Sequence, residues 1–269
     1  MHRKILFIAI PILILMTYFG IFILRLPVPA FSQTTPLTEK EIEQMYQIPN
    51  DFIGREVILA GQVFGAPGID NQGACFQLCS DPKHWDKNTI IYYESKDFAV
   101  KSEDFVKVAG IVQGTYQGEG LSGSPISAPK IQAGSIEQSS YIDIFSPTKK
   151  SIDVNSTQTQ YGYEVTLQKV EFSDSETRVY VSVVNNGKSN VSVYSFFSKI
   201  GQDDKQYEEQ PNYNADYQQL QTDLVPGAKT QGIIVFPALK QSDCQVILKA
   251  FSDNWTEKMN PYTFDIATG

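Results

Sequence analysis

The residues best suited to chemistry lie in one short segment that holds two thiols and an imidazole. Cys75, Cys79 and His84 have the spacing Cys-x3-Cys-x4-His. Thiolate and imidazole are ligands that zinc and copper prefer, and Asp81 or Asp86 would supply a fourth ligand. The spacing is not that of a zinc ribbon or finger. The sequence therefore leaves a metal site open at these residues, and we expect no resident cofactor.

The same two thiols are candidates for a disulfide, because exported proteins are oxidised. A continuous strand separates residues four apart by about 13 Å, whereas the Cα atoms of a bridged pair lie within about 7 Å. A Cys75–Cys79 disulfide therefore requires a turn between the two residues. Unbridged thiols are the third alternative. Cys244 begins an apolar run, so we expect it to be a small buried side chain.

Other catalytic arrangements are scarce. The chain has two histidines, and one of them is residue 2, so a nucleophile has almost no imidazole to activate it. Acid pairs at 103–104, 203–204 and 208–209 fall in or beside expected turns, where carboxylates are solvated. We therefore expect a protein that is not an enzyme.

Aromatic side chains are the candidate ligand-binding groups. Two sets are expected on ligand surfaces: Trp85, Tyr92 and Tyr93, and Tyr207, Tyr213 and Tyr217. Tyrosine among polar residues is typical of recognition surfaces. Residues 50–145 carry seven bases and twelve acids, which disfavours a groove that follows a phosphate backbone. A glycan or a protein of the cell envelope is the expected ligand, and nucleic acid is disfavoured.

An uncharged run of twenty residues, Ile5 to Leu24, lies near the N-terminus. As a helix it is about 30 Å long, the thickness of a bilayer core, and it exceeds the apolar region of an ordinary signal peptide. We predict a transmembrane anchor over residues 1–25. The alternative is a cleaved signal with Ala30-Phe31-Ser32 at the cleavage site, which would make the protein secreted.

Charge predicts the orientation of this span. Arg3 and Lys4 precede it, so the positive-inside rule places the N-terminus in the cytoplasm and the remaining chain outside. Residues 26–269, which follow the anchor, then carry nineteen bases and thirty acids, a net charge of −11. Such a surface is repelled by anionic lipid headgroups and by nucleic acid, so we expect contact with the membrane through the helix alone.

The elements that position the cysteines and the first aromatic set are expected to be strands. Residues 26–50 are read as a spacer and a short helix, Thr38 to Gln47, which begins with a Thr38/Glu41 capping box. Residues 51–145 contain five expected strands, with glycine bends at Gly61 and Gly110 and a long loop over 118–129: Glu56–Phe64, Cys75–Cys79, Thr89–Tyr93, Phe105–Gln113 and Lys130–Ile136. Residues 52–141 resemble the OB-fold, a small barrel that binds oligosaccharides or single-stranded nucleic acid.

Residues 146–269 are expected to form a second β module. Its predicted strands begin after a polar stretch over 151–160, and the first hairpin signal is Asn185-Asn186-Gly187. Val191 to Ile200 is predicted as one strand. The step Leu224 to Lys229, followed by the strand Gly232 to Pro237, resembles the DUF4352 group of exported immunoglobulin-like domains over 161–266. The resemblance implies an exported compartment and a β-sandwich without the antibody-type disulfide, and it transfers no binding residues.

The sequence thus predicts an all-β fold with an N-terminal transmembrane helix, an OB-like five-stranded barrel and an immunoglobulin-like sandwich. The expected function is that of a membrane-anchored, extracytoplasmic, non-enzymatic binding protein of the cell envelope. One alternative is a metal- or thiol-dependent envelope protein that uses Cys75, Cys79 and His84. The other is an OB-fold binder of oligosaccharide or single-stranded nucleic acid.

Overall fold

The structure is a computed structural model that describes residues 35–69, 71, 73–81, 86–95, 99–119, 123 and 125–269. The predicted transmembrane anchor lies outside the described residues, as do most of the predicted spacer, His84 and Trp85. Within the described ranges, no helix is both long enough and apolar enough to cross a membrane. The described chain is mostly β, with one closed barrel and three further sheets.

The predicted first helix is confirmed as α1, Glu39–Gln47. The Thr38 hydroxyl accepts a hydrogen bond from the Glu41 amide, and the Glu41 carboxylate accepts one from the Thr38 amide at 2.8 Å. This capping box satisfies backbone donors that the first turn leaves without partners. Met45 is fully buried against the core of the barrel, so the helix covers barrel side chains. A 3-10 turn over Pro49–Phe52 follows the helix.

Five strands form the closed barrel: β1 Glu56–Ile69, β2 Ala74–Cys79, β3 Asn88–Tyr93, β4 Phe105–Glu119 and β5 Pro125–Ser139. Their order is β1-β2-β3-β5-β4, and β4 pairs with β1 to close the ring. The β3–β5 pair is parallel and the other pairs are antiparallel. All five predicted strands are present. The predicted loop over 118–129 is wrong at both ends, because antiparallel pairing continues from Phe105↔Ser139 to Glu119↔Pro125.

The glycines predicted to bend β1 and β4 lie where backbones approach closely. A Cβ on Gly61 would lie 2.3 Å from the Cys79 carbonyl oxygen, and one on Gly110 would lie 2.5 Å from the Gln132 carbonyl oxygen. Real Cβ atoms do not come this close to backbone oxygen, so only glycine fits without a shift of the neighbouring strand.

Replacing Gly61 with Ala is expected to lower the free energy of unfolding by about 1–3 kcal/mol, because the new methyl group meets backbone rather than a flexible side chain. The matched control is Gly134→Ala in β5, where the nearest atom to the new Cβ is the Ala109 carbonyl oxygen at 3.8 Å. Urea unfolding curves compare the two variants. Equal midpoints for Gly61→Ala and Gly134→Ala would show that the close approach does not constrain β1.

The second half of the chain consists of a short helix, α2 Tyr141–Phe145, and eleven strands: β6 Lys150–Gln160, β7 Tyr163–Phe172, β8 Glu176–Asn185, β9 Val191–Val193, β10 Lys199–Gln202, β11 Lys205–Glu208, β12 Asp223–Leu224, β13 Lys229–Pro237, β14 Cys244–Leu248, β15 Ala250–Ser252 and β16 Tyr262–Ile266. They form sheets in the orders β13-β8-β7-β6, β11-β10-β14-β16 and β12-β9-β15. Side chains from all three sheets share one apolar core.

Three sequence expectations for this half are corrected. The stretch over 151–160 is part of β6, a strand that pairs along its length with β7. The Asn185-Asn186-Gly187 signal does not form a hairpin, because β8 and β9 belong to different sheets. The side-chain amide of Asn185 instead donates to the carbonyl oxygens of Ser189 and Leu224. These hydrogen bonds stabilise the segment that connects β8 with β9 of the other sheet. The predicted strand Val191 to Ile200 is interrupted by a 3-10 turn over Ser195–Phe197.

The barrel and the following sheets meet at a third apolar cluster, which we call the junction cluster. It contains Phe105 from β4, Tyr141 and Phe145 from α2, Tyr217 from the chain after β11, and Val235 from β13. The Phe105 and Tyr141 rings lie edge to face, with centroids 5.8 Å apart, and Tyr141 and Tyr217 repeat this arrangement at 5.8 Å. Residues 35–269 accordingly form one compact unit.

Candidate functional site

The candidate site lies on the outer face of the barrel, where three strands place one row of side chains. Cys75 of β2 is the Cα partner of Tyr92 of β3, and Tyr92 is the Cα partner of Gln132 of β5. Their strand neighbours Phe76 and Ile131 point into the barrel core. Because successive side chains of a strand alternate between its faces, Cys75, Tyr92 and Gln132 share the outer face.

A hollow of about 380 Å³ opens beside this row, which we call the barrel-face site. It is lined by Gly73, Ala74, Cys75, Tyr92, Tyr93, Glu94 and Gln132. The volume falls within the range of pockets that hold small ligands. Gly73 ends the β1–β2 connection at φ +136°, and a Cβ there would lie 2.1 Å from the Tyr93 carbonyl oxygen. The rim of the hollow therefore depends on glycine at this position.

A cation lies beside the row. The Lys130 ammonium nitrogen is 4.5 Å from the centroid of the Tyr92 ring. Lys130 precedes Gln132 by two residues on β5 and so projects from the same face of the sheet. A lysine over an aromatic face is attracted by the negative potential of the ring, and this contact orients both side chains. Among the described residues, the barrel-face site thus combines two tyrosine rings, an amide, a carboxylate and an ammonium group.

The structure separates the two tyrosines that the sequence places together. Both tyrosines line the hollow, but Tyr92 projects from the outer face, whereas Tyr93 also packs against the barrel core. Trp85, the third member of that predicted set, lies outside the described residues. Gln132 and Lys130 were not expected to contribute, because they are some forty positions away and no local pattern connects them with Tyr92.

The predicted Cys75–Cys79 disulfide is wrong in this structure. Both residues lie on β2, which is continuous, so no turn brings their sulfur atoms together. Cys79 is fully buried, and its thiol donates to the Asp81 carbonyl oxygen at 3.3 Å. Burial raises the pKa of the Cys79 thiol. Cys75 is half-buried in the barrel-face site.

The metal alternative stays a prediction, because His84 lies outside the described residues. Among those described, no three His, Cys, Asp or Glu side chains form a group that could hold a metal ion. Cys244 is buried as expected, and burial raises the pKa of its thiol to about 11.

The second predicted set of tyrosines does not form a surface. Tyr217 is only 7% exposed and belongs to the junction cluster, so its assignment to a ligand surface is wrong. Its hydroxyl donates to the Glu176 carboxylate, which satisfies the polar end of a buried ring. Tyr207 is half-buried against the core of the second half of the chain. Tyr213 is 90% exposed.

A buried ionic network beside the junction cluster was not foreseen. Arg178 of β8 has no exposed surface, and it forms ion pairs with Glu171 at 3.2 Å and Glu176 at 3.0 Å. Its guanidinium also donates to the Ser146 carbonyl oxygen at 2.9 Å and to the Thr148 hydroxyl at 2.7 Å. The guanidinium group of arginine has five N–H donors that point in different directions, so it can bind all of these acceptors at once. The network ties the segment after α2 to the β7–β8 hairpin.

The pKa of Glu171 makes this network sensitive to acid. Burial alone raises the pKa of Glu171, but hydrogen bonds from Lys169 and Tyr180, with the charges of Lys169 and Arg178, hold it below the ordinary value. A carboxyl group with a lower pKa in the folded state stabilises folding above its unfolded pKa, about 4.3 for Glu. That stabilisation is lost as the pH falls through the folded pKa.

We therefore expect the free energy of unfolding to fall below about pH 4.3 more steeply in the wild type than in Glu171→Gln, which has no proton to bind at this position. Urea midpoints measured at successive pH values from neutral to acidic compare the two proteins. Identical slopes in this acidic range would contradict the assignment of a lowered pKa to Glu171.

A cluster of four aromatic rings is a further feature that sequence reasoning missed. It contains Tyr194, Phe196, Phe197 and Phe251, with neighbouring centroids between 4.3 and 6.1 Å apart. Phe196 is 61% exposed, and Phe197 and Phe251 are also exposed. The 3-10 turn that interrupts the predicted strand over 191–200 brings three of these rings together. The sequence over 191–200 resembles a strand throughout, so it did not indicate this turn.

Comparison with known proteins gives no family for this chain: no family model, no curated protein and no solved structure matches it. The resemblance to the DUF4352 group is accordingly without support from a family model and stays a prediction.

Proposed function

We propose that this protein is a non-enzymatic binding protein of the cell envelope that takes an oligosaccharide at the barrel-face site. The observation that carries this proposal is the row Cys75, Tyr92 and Gln132 beside a hollow of about 380 Å³. An aromatic ring with a few polar groups around it is the usual composition of a small-ligand site.

The polar side chains of the barrel-face site are better suited to the hydroxyl groups of a sugar than to the phosphates of a nucleic acid. Gln132 offers both a donor and an acceptor, and Glu94 offers acceptors. The Tyr92 ring presents an apolar face against which the C–H groups of a sugar can pack. Lys130 lies over this ring, and the module over 50–145 has a net charge of −5. A nucleic-acid backbone requires a basic groove, so oligosaccharide is the better candidate.

The topology supports this placement. The order β1-β2-β3-β5-β4, with a parallel β3–β5 pair and closure of β4 on β1, is the strand order of OB-fold barrels. In such barrels, ligands bind over strands 2 and 3 and the adjoining loops. The barrel-face site includes β2, β3 and Gly73 from the β1–β2 connection. We assign the second half of the chain to the immunoglobulin-like sandwiches of the DUF4352 type, on the basis of its shared core between sheets and the 224–237 motif.

We place the described unit outside the cytoplasmic membrane, on a single-pass anchor formed by residues 1–25. The uncharged run Ile5 to Leu24 and the preceding Arg3 and Lys4 support this placement. The acidic charge of the exported part keeps the unit from adhering to anionic headgroups, so the barrel-face site remains accessible to soluble glycans.

Calorimetric titration of the full chain with tetramers of N-acetylglucosamine, glucose and mannose tests the proposal. We expect at least one tetramer to bind the wild type, and Tyr92→Ser to weaken binding by about tenfold or more, because the ring supplies the main apolar contact. The matched control is Tyr161→Ser, which removes a half-exposed tyrosine from a turn far along the chain. Equal affinities for the two variants, or no binding of any tetramer, would refute the proposal.

A further inference from the structure

A second concave surface, which we call the junction groove, lies beside the junction cluster. It consists of two hollows of about 370 and 200 Å³ that share Glu103, Phe105 and Asp216. One side comes from β1 and the segment before β4, and the other comes from residues 213–216 after β11. The groove uses none of the residues of the barrel-face site.

Three carboxylates line this groove: Glu103, Asp104 and Asp216. None of the ion pairs within the described ranges involves any of them. Asp104 accepts a hydrogen bond from the Lys101 amide at 2.8 Å, and Asp216 accepts one from the Tyr141 amide at 3.2 Å. These amides hold the Asp104 and Asp216 carboxylates in place, and no ion pair of the described residues gives the three acids a cationic partner.

Aromatic side chains accompany this charge. Tyr213 is 90% exposed at one wall, and Phe64 is 39% exposed at the other. An exposed ring attracts a Lys or Arg head group through its negative face, and neighbouring carboxylates strengthen that attraction. Apolar rings and negative charge in one groove therefore select a ligand that is cationic and carries an apolar stem, which describes lysine and arginine side chains.

We propose that the junction groove docks a basic, extended segment of a partner protein, with a Lys or Arg side chain between Tyr213 and the three carboxylates. The floor of the groove is rigid, because Phe105 packs edge to face against Tyr141 in the junction cluster. A preformed groove spares the partner the entropic cost of ordering this surface. The inference goes beyond the proposed function, because it concerns a protein partner at other residues.

Fluorescence anisotropy with a labelled ten-residue peptide of alternating Arg and Gly tests this inference on the full chain in a non-ionic detergent. We expect the wild type to bind this peptide, and binding to weaken as salt is added, since the attraction is between exposed charges. The peptide of alternating Glu and Gly is expected not to bind.

The decisive comparison uses two triple variants that remove the same net charge. Glu103→Asn, Asp104→Asn and Asp216→Asn neutralise the groove and keep acceptors for the two amides, and Asn tolerates the φ of +73° at position 103. The matched control carries Glu119→Gln, Asp153→Asn and Asp204→Asn, which are exposed positions outside the groove. We expect the groove variant to weaken binding by about tenfold and the control by about twofold at most.

Tyr213→Ala is a further variant, and it is expected to weaken binding while leaving the urea midpoint unchanged, because the ring is 90% exposed. Three results would each overturn the inference: equal losses for the two triple variants, equal binding of the Arg and Glu peptides, or no binding of the Arg peptide at low salt. Because the glycan titration uses other residues, failure of this inference is distinguishable from failure of the proposed function.

Discussion

Replacing Arg178 with Met is expected to lower the free energy of unfolding by about 3–5 kcal/mol, because it leaves a buried carboxylate without its counter-ion. Lys169 still pairs with Glu171 in the variant, whereas Glu176 has no other cationic partner among the described ion pairs. Taking an unpaired charge out of water is costly, and Glu176 is only 5% exposed. Urea unfolding of the full chain measures the loss.

Two further variants separate the buried charge from the general effect of losing a cation. Lys149→Met removes one member of the exposed Lys149–Asp174 pair and is expected to leave the urea midpoint nearly unchanged. Adding Glu176→Gln to Arg178→Met is expected to restore part of the stability, because Gln is neutral. Its carbonyl oxygen accepts the hydrogen bond from the Asn212 amide, and its own amide donates to the Tyr217 hydroxyl, which can also accept. A midpoint for Arg178→Met equal to that of Lys149→Met would contradict the proposed role of the network.

Replacing Phe105 with Ala is expected to cost about 3–5 kcal/mol, because a fully packed aromatic ring leaves a cavity when it is removed. The Phe105 ring contacts Tyr141 and Phe145 in the junction cluster rather than the barrel core. Its loss therefore weakens the connection between the barrel and the following sheets. We expect the wild type to unfold in one transition, because residues 35–269 form one compact unit, and Phe105→Ala to unfold in two.

The control for this prediction is Phe64→Ala on β1, since Phe64 is 39% exposed and removal of its ring leaves no enclosed cavity. Calorimetric scans of both variants measure the number of transitions and their midpoints. One transition in Phe105→Ala, with a midpoint equal to that of Phe64→Ala, would mean that the junction cluster does not couple the two parts.

The local sequence pattern predicted those strands that bury one apolar face. The period of two in residues 165–172 and 177–184 reflects one buried face, and both strands are present. Strand β6 has the same alternation, but its inner face is only half-buried, and its exposed face carries Ser, Asp, Asn and Thr. An edge strand of this kind has little apolar signal, so the sequence suggested a polar stretch. Pairing with β7 provides the backbone hydrogen bonds that make it a strand.

The positions of charged and aromatic side chains depend on contacts that local patterns do not contain. Arg178 interrupts an apolar strand with a charge, and its burial depends partly on Ser146 and Thr148, some thirty positions earlier in the chain. Tyr217 lies in a polar stretch without a period, yet its ring completes the junction cluster with Phe105 and Tyr141. In both cases some of the partner residues come from distant positions, so the local sequence indicates exposure where the fold provides burial.

The candidate site was only partly predicted, because some of its residues are also distant in the sequence. Tyr92 was identified from its type and from its strand, and the structure places it at the barrel face. Its neighbours Gln132 and Lys130 come from β5, which runs parallel to β3. A parallel pair has no hairpin turn to fix its register, so the sequence does not indicate which residues of β5 face Tyr92.

Occupation of the barrel-face site by an oligosaccharide can be measured directly through the thiol of Cys75, which lines the site. Cys75 is half-buried beside Tyr92, whereas Cys79 and Cys244 are buried, so N-ethylmaleimide is expected to modify Cys75 first in the folded chain. We expect the tetramer that binds by calorimetry to slow this modification, with half-protection at its dissociation constant. A tetramer that binds and leaves the modification rate of Cys75 unchanged would show that the oligosaccharide lies elsewhere.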